Sequence, residues 1–299
     1  MILLEKTIGI LEELKPSGIE DGFFFYLKER LIRKMNTFSV GALLKLSFSF
    51  GEKEERYTLD TEDELAALIE ILDIAVIIYD DIVDRDCILE GNPTTLLLNN
   101  DCLIFAVLSR LNMVLEAKSF SYVLSNLKDC INGEAADVNI KLDENSSEDM
   151  YFSRIIPKSA SLYRLYLLGY PSKRDIWSSV ADHLACHYQI KNDIKNICGP
   201  LKSDIQNKKA SLPMIKAKEY AKDLGFSFFY HLERFIEKED DGTFLSYFNE
   251  SKSIEYCTFL CQYYKKKAIE EINGSFRDGN ESKERLLQLI RGADGRKDD

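Results

Sequence analysis

Along most of the chain, apolar residues return every third or fourth position. The clearest runs are Leu65-Ala66-Leu68-Ile69-Leu72-Ile74-Ala75, Leu103-Ala106-Val107-Leu111-Val114-Leu115 and Ile254-Phe259-Leu260-Tyr263-Tyr264-Ala268. That period belongs to α-helices with one face in a core. Strand-like alternation closed by tight turns is scarce, and Asp241-Gly242 is followed by more helical pattern. Thr61 with Glu64 three residues later forms a capping box, which predicts a helix from Thr61 to about Tyr79. Breaks are expected at Pro16, Gly91-Asn92-Pro93, Pro157, Pro171, Gly199-Pro200 and Pro213. Glu239-Asp240-Asp241-Gly242 reads as a turn, and residues 292–299 as a frayed tail. No repeat of fixed period interrupts this pattern. It predicts an all-α fold, a single domain over residues 1–299 built from roughly ten to twelve helices.

Composition narrows the possibilities. With 45% hydrophobic residues and only 15 Gly and 6 Pro, the chain can bury a sizeable core and is neither collagenous nor disordered. No run approaches about eighteen consecutive apolar residues, so no membrane-spanning helix is expected. Glu5 and Lys6 interrupt the first apolar stretch, which does not read as a secretory leader. Seven cysteines without paired Cys-x-x-Cys spacing suggest reduced thiols and a cytoplasmic protein. A formal net charge of -11 argues against nucleic-acid binding, while leaving room for a local basic pocket that takes a small anion.

The most informative segment is Leu72-Asp73-Ile74-Ala75-Val76-Ile77-Ile78-Tyr79-Asp80-Asp81-Ile82-Val83-Asp84. At about 100° per residue, Asp80 and Asp84 lie nearly above one another and Asp81 shares their side of the helix. The helix before them is apolar almost all round, so its end should be close to buried. Three carboxylates at the negative end of a buried helix repel one another and call for a cation. Oxygen-only ligation without His or Cys points to a hard ion, magnesium best of all. Downstream, Asn192 and Asn196 stand one turn apart with Asp193 beside them, a second oxygen-bearing face or an ordinary set of caps. Lys202 through Pro213 is locally basic within an acidic chain.

From about Leu65 to Ala217 these segments together resemble the trans-isoprenyl diphosphate synthase (polyprenyl synthetase) superfamily. Asp80-Asp81-Ile82-Val83-Asp84 is similar to its first aspartate-rich motif, and Gly91-Asn92-Pro93-Thr94-Thr95 to its Gly-Lys-Pro-Thr-Thr. Gly133-Glu134-Ala135-Ala136-Asp137 resembles Gly-Gln-x-x-Asp, and Lys158-Ser159 resembles Lys-Thr. Gln189 to Asn196 is similar to the second aspartate-rich motif, and Ser203 to Pro213 to the trailing Asp-Leu-x-x-Gly-Lys-x-Thr-x-Pro loop. The resemblance implies an isoprenoid-synthase helical bundle with a central cavity, acting as a homodimer. It implies magnesium held by Asp80, Asp81, Asp84, Asn192, Asp193 and Asn196, assisting departure of diphosphate from an allylic prenyl chain. Lys158, Lys202 and Lys208 would contact the diphosphate, and Gln189 would face the developing cation. Ala75 and Val76 occupy positions where bulky aromatics shorten the family's chain pocket, so room for about fifteen to twenty carbons is implied.

Departures from the family pattern shape the functional expectation. Where the isopentenyl-binding Gly-Gly-Lys-Arg-x-Arg-Pro is sought, the chain reads Ser39-Val40-Gly41-Ala42-Leu43-Leu44-Lys45, and Arg-Arg-Gly has become Leu89-Glu90-Gly91. A second diphosphate would lack its guanidinium partners. The expectation is therefore transfer to a non-isopentenyl acceptor. A tryptophan of a peptide pheromone precursor is favoured, as in the ComQ-type members of the family. Terpene cyclisation, chain elongation and a non-catalytic prenyl-diphosphate-binding subunit are the alternatives. Pro200 stands where a terpene cyclase would want a Glu. His183 and His187, one turn apart, offer a zinc pair or plain helix histidines, and Phe226, Phe228, Phe229 and Tyr230 a prenyl channel or plain packing.

Overall fold

The computed structural model describes residues 2–15, 18–50, 57–83, 92–200, 202–238, 241–277 and 279–292. Among these, the regular structure is helical, apart from one isolated bridge between Lys141 and Lys209. The α-helices are α1 (Ile2–Leu14), α2 (Asp21–Thr37), α3 (Val40–Phe48), α4 (Leu59–Val83), α5 (Pro93–Val114), α6 (Ala117–Asn139), α7 (Glu148–Met150) and α8 (Ile156–Tyr166). They continue as α9 (Arg174–Cys198), α10 (Ser203–Gln206), α11 (Leu212–Leu224), α12 (Phe228–Ile236), α13 (Asp241–Glu250), α14 (Ser253–Ser275) and α15 (Glu281–Gly292). This is more segments than the sequence suggested, because short helices fill several expected loops. Residues 293–299, expected to be a frayed tail, lie outside the described residues, as do Glu239 and Asp240; Asp241-Gly242 opens α13 instead of closing a turn.

The chain forms two compact units. The first comprises residues 1–127, 164–179 and 272–299, and the second residues 128–163 and 180–271.

In the first unit α4 is the central element, packed by α1, α3 and α5. Leu65 to Leu72, polar Glu70 included, and Ile74-Ala75 are almost wholly inaccessible on every side. Its start differs from the expected capping box. The Thr58 hydroxyl, not Thr61, accepts the Thr61 N–H at 3.2 Å, and Glu64 binds Arg110 of α5. The helix thus begins earlier and also runs beyond Tyr79, carrying Asp80 and Asp81 within its last turn. Among the described helices, α5 alone is long and apolar enough by composition to cross a membrane, which the count of consecutive apolar residues missed. Three of its polar side chains bond to α4: Asn100 to the Ala75 carbonyl, Asp101 to Tyr79 and Arg110 to Glu64.

In the second unit Pro157 does not break the chain. Residues 148–166 run on as helix, with a π turn at Tyr151–Ile155 immediately before the proline. A proline has no N–H to give the preceding turn, and local widening accommodates the gap. Pro93 and Pro213 sit in the first turn of α5 and α11, where that missing donor is no loss. Phe226 stacks on Tyr247 and His231, with centroids 4.0 and 4.5 Å apart, and Phe228 packs edge-on to Phe244, so these two rings pack against the core, while Tyr230 is exposed. His187 is buried with Nδ1 2.9 Å from the Cys261 carbonyl. Cys130, Cys186, Cys257 and Cys261 are buried free thiols, whereas Cys102 and Cys198 are exposed. Burial pushes the Cys186 thiol up to about 12.

Candidate active site

Helix α4 carries the expected site residues of the first unit. Its buried apolar body fixes the orientation of the last turn, where Asp80 and Asp81 are both partly covered. Asp81 forms an ion pair with Arg30 of α2. Tyr79, next to Asp80, donates its hydroxyl to Asp101, a carboxyl raised by burial. Ala75 and Val76, the expected walls of the chain pocket, are 0% and 8% exposed. Asp84 and the Leu89-Glu90-Gly91 segment lie outside the described residues.

A residue that sequence reasoning passed over proves central here. Lys34 of α2 reaches both Glu70, at 2.9 Å, and Asp73 on successive turns of α4. Burial alone would lower this ammonium, yet Asp73 and Glu70 together hold it above its ordinary value. Glu70 also accepts the Ser39 hydroxyl and, at 2.8 Å, the Gly41 N–H, so the N-terminus of α3 already holds an internal anion. Gly41 is required there, because a Cβ would stand 2.7 Å from the Ala66 carbonyl oxygen. Lys28, Arg33 and Lys45 likewise face Glu12, Glu29 and Asp63. The Lys34 signal was a spacing: Glu70 and Asp73 three residues apart on an otherwise apolar helix require a buried cation.

The second unit assembles the other predicted residues. Gly133 brings α6 against α8 so closely that an added Cβ would meet the Lys158 Cβ at 2.7 Å and its Cα at 2.8 Å. Across that contact the Lys158 ammonium pairs with Glu134 at 2.5 Å and Asp137 at 3.5 Å. Ser159 donates to Gln189 Oε1 at 2.6 Å, and Gln189 Nε2 donates to Asp193 Oδ1 at 2.9 Å. The other Asp193 oxygen accepts the Tyr151 hydroxyl at 2.8 Å and the Leu212 N–H at 3.1 Å. Burial, and then the charge of Asp204, push the Asp193 carboxyl up to about 7. Burial also takes Asp204 up to about 6, with Ser211, Lys209 and Asn196 partly offsetting it.

The expected oxygen face on α9 is therefore divided. Asn192 is exposed, Asp193 is buried with its oxygens engaged, and Asn196 donates to Asp204 at 3.2 Å. Among the described residues no group of three or more His, Cys, Asp or Glu is placed to hold a metal ion. The carboxylates of Asp80 and Asp81, oxygen donors at a partly covered helix end, remain chemically suited to a hard divalent ion. Lys202 is half-buried at φ 48°, and Lys208 pairs with Glu233 at 2.5 Å. Lys208, at φ 52°, occupies the glycine position of the Gly-Lys pair in the trailing loop, so Lys209 occupies the lysine position. Lys209 is the second residue that reading by charge alone missed. An open groove of about 830 Å³, lined in part by Leu224, Phe226, Thr243, Tyr247 and Glu250, contains none of the expected metal or diphosphate residues.

The polyprenyl synthetase family model matches residues 26–227, an interval that holds the motif segments from Asp80 to Pro213. The chain belongs to the polyprenyl synthetase family. This member is 28% identical over 200 residues to an all-trans-nonaprenyl-diphosphate synthase (geranyl-diphosphate specific) of Rhodobacter capsulatus, covering 59% of this chain and 59% of that relative's length. It is 26% identical over 273 residues to a geranylgeranyl diphosphate synthase of Saccharolobus solfataricus, covering 80% and 79% of the two chains. Its fold is similar to geranylgeranyl pyrophosphate synthase from Lactobacillus brevis, with a TM-score of 0.78 at 17% identity over 98% and 96% of the chains. It also resembles polyprenyl synthase from Caulobacter crescentus complexed with calcium and isoprenyl diphosphate, with a TM-score of 0.77 at 18% identity over 99% and 95%. This family member thus has the all-α isoprenoid synthase fold.

Proposed function

We propose that this member of the polyprenyl synthetase family ionises an allylic prenyl diphosphate with the help of magnesium and transfers the chain to an acceptor other than isopentenyl diphosphate. A tryptophan of a peptide is the favoured acceptor. The observation that carries the second half is Lys34, locked between Glu70 and Asp73. With Lys28, Arg30, Arg33 and Lys45 also facing carboxylates, α2 and α3 present their cations already paired within the chain. A second diphosphate would have to pull Lys34 out of its buried pairs with Glu70 and Asp73, whereas the other pairs are partly or wholly open to solvent.

Asp80 and Asp81, with Asp84 expected beside them, would hold the metal. When bound it would neutralise charge on the departing diphosphate. Lys158 and Lys209 would donate to the diphosphate oxygens, Lys158 exchanging Glu134 and Asp137 for the substrate. Gln189, its carbonyl turned toward Ser159 and its amide toward Asp193, is held in one orientation, and Tyr151 fixes Asp193 in turn. The bond between the allylic carbon and oxygen breaks with its electron pair leaving on diphosphate. The electron-rich acceptor carbon then bonds to the prenyl chain and loses a proton to solvent. The reading includes one catalytic domain working in the cytoplasm as a homodimer, supported by Leu98, Phe105 and Met113 exposed at helical spacing on α5. Chain elongation is the second reading, favoured by the names of the relatives.

The test incubates the full chain and magnesium with geranyl, farnesyl or geranylgeranyl diphosphate, with and without isopentenyl diphosphate and a Trp-containing peptide. Prenylated peptide is expected, and Asp80→Ala should abolish diphosphate release. Longer diphosphates as the main product would overturn the acceptor assignment, and volatile hydrocarbons alone would indicate cyclisation.

A further inference from the structure

Helix α2 sends two cations to α4, one turn apart. Lys34 meets Glu70 and Asp73, whose side chains are 0% and 4% exposed, and is sealed between them. Arg30 meets Asp81 in a different setting, with its side chain 30% exposed and that of Asp81 16%. The Arg30 Nη1 also donates to the Tyr26 hydroxyl at 2.6 Å, one turn back on α2. Its own helix thus steadies the guanidinium against the end of α4.

The place of Asp81 gives this pair its weight. Asp80 and Asp81 lie in the last turn of α4, where the helix dipole is negative and neighbouring carboxylates repel each other. Arg30 supplies, from within the chain, positive charge that this end calls for. Magnesium held by the same carboxylates would take Asp81 from the guanidinium and repel it at short range. Lys34 cannot give way like this, because two buried carboxylates would lose their cation. Arg30 can, because solvent reaches both partners. Once displaced, its planar fork of donors suits diphosphate oxygens, and a diphosphate beside the metal would replace the anion it had lost.

We propose that Arg30 is an exchangeable counter-ion. It holds Asp81 before magnesium binds, opposes binding of the metal alone, and moves to the diphosphate when metal and prenyl diphosphate are both present. The assignment rests on the prenyl-diphosphate reading above and adds a residue that couples the binding of the two ligands.

The experiment compares the full chain with Arg30→Met in two titrations. Manganese alone stands in for magnesium, its free fraction read by electron paramagnetic resonance. Calorimetry at saturating magnesium then measures farnesyl thiolodiphosphate, whose sulfur bridge resists ionisation. Manganese should bind the variant about tenfold more tightly and the thiolodiphosphate about tenfold more weakly, the factor carried by one hydrogen bond to a charged group. The opposite signs are the signature, since a merely structural loss would weaken both. Arg33→Met removes a cation of α2 paired with exposed Glu29 and should shift neither affinity. If it tightens manganese as much as Arg30→Met does, the effect is one of net charge and the proposal falls. A manganese affinity that does not rise, or an analogue affinity that does not fall, in folded Arg30→Met overturns the exchange and leaves the prenyl-diphosphate reading standing. Should circular dichroism show Arg30→Met unfolded, Arg30→Gln, which keeps a donor for Tyr26, decides by the same criteria. Failure of the unmodified chain to bind the thiolodiphosphate in magnesium overturns both.

Discussion

Replacing Gly133 with alanine tests the packing that positions Lys158. In isolation the change should help, because Ala exceeds Gly in a helix interior by about 1 kcal/mol. Here the new methyl would stand 2.7 Å from the Lys158 Cβ, 2.8 Å from its Cα and 2.9 Å from its N. Two of those atoms are backbone and cannot swing aside, so α6 and α8 must separate. Overpacking of this kind costs about 1–3 kcal/mol, leaving a net loss of up to about 2 kcal/mol. Gly9→Ala is the control, since a Cβ on that α1 glycine meets nothing within 4 Å and only the favourable part should appear. Urea midpoints at constant m should therefore separate the two variants by about 1–3 kcal/mol. Moving α8 also pulls Lys158 from Glu134 and Asp137, so diphosphate release should slow in Gly133→Ala alone. Equal stability of the two variants would refute the close-approach argument.

Three further outcomes follow from the same contacts. Lys34→Met leaves Glu70 and Asp73 without their cation and should destabilise the chain by about 3–5 kcal/mol in urea titration, whereas a loss below about 1 kcal/mol would show the pair to be solvated. Asp193 and Asp204, raised to about 7 and about 6, bind more protons folded than unfolded between their ordinary value near 4 and those values. Stability should then fall as pH rises through that window, and Asp204→Asn should flatten the decline in melting temperature. Lys209→Ala should raise KM for the diphosphate, while Lys208→Gly should leave KM alone and stabilise the loop by about 1 kcal/mol through relief of its left-handed backbone.

Periodicity made the helices legible, because α4 buries almost every side and its pattern is dense. Its first residue was not, since Thr58 and Thr61 are equally good caps locally and the choice depends on Glu64 being drawn to Arg110. Motif spacing found Lys158, Ser159 and Gln189, which the structure joins through α6, α8 and α9. Spacing failed on α9, where Asn192, Asp193 and Asn196 look alike in sequence but differ in what surrounds them: solvent, Tyr151 with Leu212, and Asp204. Lys34 was invisible because its partners lie thirty-six and thirty-nine residues away on another helix. Lys209 was obscured because Lys208 beside it carries the same charge, although counting from Asp204 to Pro213 puts Lys208 at the glycine position, where its left-handed backbone agrees.

The distribution of thiols turns the molecule into a ready-made double-labelling substrate. Four of the six described cysteines are sealed inside, and those left accessible, Cys102 and Cys198, fall one in each compact unit. With Cys87 changed to serine, a maleimide dye pair could be installed without further engineering. Dye emission at Cys102 and at Cys198 would then report on each unit by itself as magnesium, prenyl diphosphate and acceptor are added in turn.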